Sequence, residues 1–163
     1  MSLKPMLAAL TVLGTPLAAQ ELVFAPDATL TCMGNNDGFE QVCIGLAAEQ
    51  CMADTPGGDS TVGMGGCLGA EADWWDGRLN AAYQARLAEA QQADADAAEY
   101  GYTAPPQEET LRAMQRAWIA FRDAKCAWAG ALWGGGTGQG PAMADCRMTT
   151  TAEQALYLER IAR

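Results

Sequence analysis

With 163 residues, half of them apolar, the chain holds the material for one folded domain. A formal net charge of −10 argues against nucleic acid as a partner, because gripping a phosphate backbone requires a basic stripe. The absence of histidine removes histidine-based triads, histidine general bases and histidine metal ligands together.

Lys4 is the only charged residue before Glu21, and it precedes an apolar run from Met6 to Leu17. At about a dozen residues this run suits a signal-peptide core and is too short for a bilayer core of roughly 30 Å. Ala18 and Ala19 place the expected cut after Ala19, so residues 1–19 read as a cleavable signal peptide. Loss of Lys4 leaves a mature chain of charge −11 beginning at Gln20. No cysteine stands at the cut to take a lipid anchor, and no later stretch is apolar enough to span a membrane. A soluble periplasmic or secreted protein is expected.

From Gln20 to about Asp37, Pro26, Gly34, Asn35 and Asn36 predict an extended arm that closes in a turn. Phe39, Val42, Cys43, Leu46 and Ala47 recur at helical spacing and predict a helix from about Phe39 to Met52. The run Asp54-Thr55-Pro56-Gly57-Gly58-Asp59 stops it. Thr61 is the expected cap of a long helix to about Ala98, whose apolar stripe is Trp75, Leu79, Ala82, Tyr83, Leu87 and Ala90. Gly101 to Pro106 breaks the chain. A third helix then runs from about Pro106 to Ala131, with Leu111, Met114, Trp118, Phe121 and Cys126 along its inner face. Gly134 to Pro141 reads as a loop. A short last helix starts near Thr150, which pairs with Glu153 as a capping box. Only Leu22-Val23-Phe24 carries a strand signal. The fold class is all-α: a small antiparallel bundle of about four helices, stapled by disulfides, with an irregular N-terminal arm.

The six cysteines all lie after the expected cut, and an even number in an exported chain reads as three disulfides. A zinc site is the competing reading, but there is no Cys-x-x-Cys pair and no histidine. Fifteen connectivities are possible. The layout favours Cys126 with Cys146 across the glycine loop and Cys51 with Cys67 across a turn, which leaves Cys32 with Cys43.

The inventory of reactive groups is thin. Ser60 is the only serine after the cut and has no base beside it. The glycines near Gly134 lack the lysine and the preceding strand of a phosphate-binding loop. Among the carboxylates, Glu71, Asp73 and Asp76 cluster, and two acids about 5–10 Å apart can cleave a glycan. Acids on a helix face are equally at home in water, and no residue is assigned to catalysis, to a cofactor or to a metal. Two aromatic clusters stand out instead: Trp74 to Tyr83, and Leu111 to Cys126. Trp74 is the candidate partner contact, because tryptophan and arginine dominate binding hot spots, although such a pair also serves a core. Arg122 either pairs with Asp123 or clamps the bundle near Asn80.

Cys67, Glu71, Trp75, Asp76, Leu79, Asn80 and Tyr83, followed by Leu111, Gln115, Ala117, Trp118, Phe121, Arg122, Asp123, Cys126 and Cys146, form a pattern. From Cys67 to the C-terminus, this pattern resembles the lysozyme inhibitor LprI family of small exported helical domains. The resemblance implies a protein-binding, non-catalytic domain that inhibits a lysozyme, with no cofactor. The name-giving type is a lipoprotein, whereas no anchor cysteine is present here. The matched residues are assigned to the fold. The expected organisation is a signal peptide (1–19), an arm with a first helix (20–60) and an LprI-like helical domain (61–163). A cationic lysozyme would be drawn to so acidic a chain.

Overall fold

The structure, a computed structural model, describes residues 21–161; the expected signal peptide and its cut lie outside them. In chain order the elements are α1 (Asp27–Asn35), a 3-10 turn (Glu40–Cys43), α2 (Leu46–Asp54), α3 (Thr61–Tyr100), α4 (Gln107–Ala131) and α5 (Gln139–Arg160). No strand occurs among the described residues, so the all-α class stands, with five helices rather than four.

At 40 residues, α3 is about 60 Å long at 1.5 Å per residue, and every other element is arranged around it. Its start is capped by Ser60 rather than Thr61: the Ser60 hydroxyl accepts from the Gly63 N–H at 3.0 Å. Gly101, at φ 71°, ends it in the left-handed conformation. The α4 helix returns antiparallel, and α5 turns back again to lie against α3 along most of its own length. The core forms where α3 and α5 meet. Trp75, Leu79, Ala72 and Cys67 from α3 pack with Met148, Ala152, Ala155, Leu156 and Leu158 from α5. Ala48 and Cys51 of α2 close one end.

Three expectations from the sequence are corrected. The arm before Asp37 is not extended throughout, because α1 occupies Asp27–Asn35, its first turn closed by the Leu30 N–H on the Pro26 carbonyl at 3.0 Å. The helix expected over 39–52 is broken: Gly45, at φ 97°, turns a corner that no L-residue takes easily, leaving a 3-10 turn before it and α2 after it. The last helix starts a full eleven residues earlier than Thr150, at Gln139. Pro141 reads as a loop residue, but it falls in the first turn of α5, where its missing N–H would have had no intrahelical partner. Thr150 is therefore not a cap. It is buried inside α5, with its hydroxyl accepting from Lys125 Nζ at 3.0 Å.

Three cystines join Cys32 to Cys43, Cys51 to Cys67 and Cys126 to Cys146, and no described cysteine is free. They lie along the molecule and tie α1 to the 3-10 turn, α2 to α3, and α4 to α5. Loops of 11 to 20 residues closed in this way contribute about 3 kcal/mol each in the chain-entropy description.

The N-terminus of α4 has no cap of its own, since Pro106 offers no side-chain acceptor. Asp94 supplies one from α3: its two oxygens accept from the Gln107 N–H at 2.8 Å and the Glu108 N–H at 2.9 Å. These bonds, the Glu108 one foremost, hold the Asp94 carboxyl below its ordinary value. Glu108 is lowered as well, first by Gln91 and then by Arg112. A carboxyl depressed in the fold stabilises it fully above the unfolded pKa, and that contribution is lost as pH falls through the folded value. Urea denaturation between about pH 5 and about pH 3 should therefore show a smaller loss of stability in Asp94→Ala than in the parent chain.

Two glycines of α3 make opposite predictions. A Cβ on Gly63 would collide with the Gly57 carbonyl and the Gly58 backbone, which cannot swing aside. Gly63→Ala should lose about 1–3 kcal/mol. Gly77 is exposed with open space around it, and Gly77→Ala should gain up to about 1 kcal/mol, both read from chemical denaturation.

Candidate protein-binding surface

The motif cluster on α3 is organised around Glu71, which is completely buried. Its Oε1 accepts from the Thr29 hydroxyl, the Gly45 N–H and the Trp75 indole N–H, each at 3.0 Å. Its Oε2 accepts from the Ala48 N–H at 2.7 Å. Gly45 and Ala48 open α2, so a carboxylate from another helix caps that N-terminus, where a negative charge also meets the positive end of the helix dipole. Thr29 completes the arrangement by accepting from the Ala47 N–H at 3.0 Å.

Glu71 is accordingly not one surface acid among many, and it does not converge with its neighbours. Asp73 is exposed, and Asp76 points outward to bond Asn80 Nδ2 at 2.9 Å. At 3.6 residues per turn, Glu71 projects away from the other two, whereas Asp73 and Asp76, three apart, are neighbours on the opposite side of α3. Glu71, consumed by four donors inside the fold, is not available to pair with either of them.

The remaining motif residues divide between core and rim. Trp75 and Leu79 are buried; Trp74 and Tyr83 are half-buried against the same core. Trp74 meets Trp75 edge-on at 4.6 Å, and the Arg78 guanidinium stands 5.2 Å from both rings while forming a two-pronged ion pair with Glu159. On α4, Gln115 accepts from Gln154 at 3.2 Å, and Trp118 packs inward beneath Arg122, whose charge lies 5.0 Å from the ring. Arg122 bonds the neighbouring Asp123 at 2.9 and 3.0 Å; Asn80, on α3, is engaged by Asp76 instead. Phe121 corrects the expected inner face of α4, being 60% exposed. The arc of α4 that faces the bundle runs through Leu111, Gln115, Trp118, Arg122 and Cys126, and Phe121 falls outside it.

Among the described residues, two groups of exposed apolar side chains are candidate contacts. The first is a ridge on α4: Phe121, Trp128 and Leu132 recur at i, i+7 and i+11, with Trp133 just beyond, its ring laid over Gly138. The second is a knuckle on the 3-10 turn, where Phe39 is 67% and Val42 62% exposed. Phe39 is the N-cap of that turn, and the Val42 N–H closes on its carbonyl at 3.1 Å, so the two residues bracket one 3-10 turn. Both belong to the spacing that predicts one helix over 39–52; in the structure they precede the Gly45 corner and are exposed. No histidine-free substitute for a metal site appears either, since no group of three or more cysteine, aspartate or glutamate side chains among the described residues is placed to hold an ion. No described helix is long and apolar enough to cross a membrane.

The sequence model of the family described as lysozyme inhibitor LprI matches residues 51–158. The chain belongs to the lysozyme inhibitor LprI family. The match takes in α3, α4, nearly all of α5 and the second half of α2, and with them the Cys51–Cys67 and Cys126–Cys146 bridges. It begins sixteen residues before Cys67, where the sequence pattern starts. The α1 helix, the 3-10 turn and the Cys32–Cys43 bridge precede it. A Rhodobacter capsulatus protein described as the uncharacterized 17.7 kDa protein in puhA 5′region is 29% identical over 157 residues, 94% of each chain. No solved structure matches the chain.

Thr29 and the Gly45 corner, both before the matched residues, were missed from the sequence: no local signal links a threonine to a glutamate 42 residues away. Glu71→Gln replaces one acceptor oxygen by an NH2 that faces N–H donors. The variant should lose about 3 kcal/mol or more in urea denaturation, and hydrogen exchange should show the Gly45 and Ala48 amides losing protection.

Proposed function

We propose that this LprI-family chain is an exported, non-catalytic protein-binding domain that inhibits a lysozyme. The observation that carries the reading is the family match over residues 51–158, taken with the commitment of Glu71, the buried motif acid, to four donors of the fold itself. Three cystines suit a protein released into an oxidising compartment, the periplasm or beyond, after loss of residues 1–19. Residues 20–60 act as a cap on the helical domain of residues 61–163. The net charge, −10 for the full chain and −11 once Lys4 is lost, would steer the mature protein toward a cationic partner.

A second reading, an envelope interaction module with a different partner, is favoured by the α4 ridge. Between residues 107 and 161, six acids are balanced by six bases, so nothing there selects a cationic protein. Trp74, half-covered by Arg78, contributes at most an edge to either contact.

Titration of the oxidised mature protein into a cationic lysozyme at about 150 mM salt, where the Debye length is roughly 8 Å, tests the proposal. Inhibition should saturate near one-to-one. Full lysozyme activity at a tenfold excess, repeated with lysozymes of several types, would leave the interaction-module reading in its place.

A further inference from the structure

We infer that the Phe39–Val42 knuckle is the surface on which this chain docks a cationic protein. The inference deepens the proposed function, and rests on its reading that the partner is a lysozyme, by assigning the contact to the cap that precedes the family match.

The charge pattern selects the occupant. From Glu21 to Gly77 the sequence contains no lysine or arginine, and Glu21, Asp27, Asp37, Glu49, Asp54 and Asp59 are all exposed. Arginines of the bundle border this stretch: Arg122 and Arg147 line a cleft with Asp73, and two more reach it. Arg78 is held by Glu159, and Arg160 meets the Gln41 side chain at 3.3 Å. An apolar pair set in such a field suits a partner whose own apolar contact is ringed by lysine and arginine. The α4 ridge, with its balanced charges, does not discriminate in this way.

The knuckle is also held in shape before it meets anything. Cys43, at the end of the 3-10 turn, is bridged to Cys32 of α1. Immediately after it the Gly45 and Ala48 amides are fastened to Glu71. On the other side Asn36 bonds the Cys32 carbonyl at 2.9 Å, and Gln41 is reached from α5. Two large exposed side chains on a backbone this constrained lose little freedom on binding, which is what lets a small contact act as an anchor. Rim acids contribute mainly to the rate of encounter.

The test uses the full oxidised mature chain, with calorimetric or optical binding to a cationic lysozyme at about 150 mM salt measured beside inhibition. Phe39→Ala/Val42→Ala removes mostly exposed atoms, and unchanged thermal unfolding verifies its fold. A tenfold or greater rise in Kd for this variant, with Trp128→Ala/Trp133→Ala within about twofold of the parent, is the expected result. Asp37→Asn/Glu49→Gln should slow association several-fold at about 50 mM salt and much less at high salt. A knuckle variant that binds like the parent overturns the inference and leaves the inhibitor reading intact. A parent chain that binds without inhibiting, with binding lost in the knuckle variant, upholds the docking surface while the inhibitor reading falls. A parent chain that does not bind overturns both.

Discussion

A carboxylate taken fully out of water must be met donor for donor, and Glu71 is met by four donors from α1, the Gly45 corner, α2 and its own helix. Its chemistry dictates the geometry of one whole end of the molecule. The opening amides of α2 point at α3, and the chain turns at Gly45 to present them. Trp75 sits one helical turn after Glu71 and gives its indole N–H to the same oxygen, so the largest buried side chain of the core is oriented by this acid as well. A motif glutamate in this position works as a structural node.

Two helix starts are satisfied from a distance in a similar way. Glu71 serves α2, and Asp94 serves α4, in each case an acid projecting from α3 toward the N–H groups of a neighbour. Helices that begin at Gly45 and Pro106 bring no capping side chain of their own. The long α3 therefore does more than provide a wall for packing; it carries the acceptors that fix where its neighbours begin. The cystines act on the same joints from the covalent side, each tying together elements that are close in sequence and meet near a turn.

This construction separates two tasks. The family region builds a bundle whose motif residues are largely consumed by packing, ion pairing and capping. Among the surfaces that remain available to a partner are a charge-balanced aromatic ridge on α4 and an apolar knuckle within an acidic cap. Rigid presentation of a few large side chains, with charge around them to guide approach, is sufficient for tight protein recognition and requires no reactive group.

Much of the architecture was legible in the amino-acid order. Long apolar stripes at 3.6-residue spacing located α3 and α4 to within a few residues, and the aromatic, acidic and cysteine pattern from Cys67 onward carried the family resemblance. Those features are local or periodic, so they survive without knowledge of what packs where. The early start of α5 was hidden because Met143, Met148 and several alanines make a faint stripe, and because Pro141 looks the same in a loop as in a first helical turn. The break at Gly45, the burial of Glu71 and the exposure of Phe39 and Val42 were decided only in three dimensions. The first two depend on hydrogen bonds between residues 18 to 42 positions apart, and no local pattern encodes which distant donor a buried acid will find.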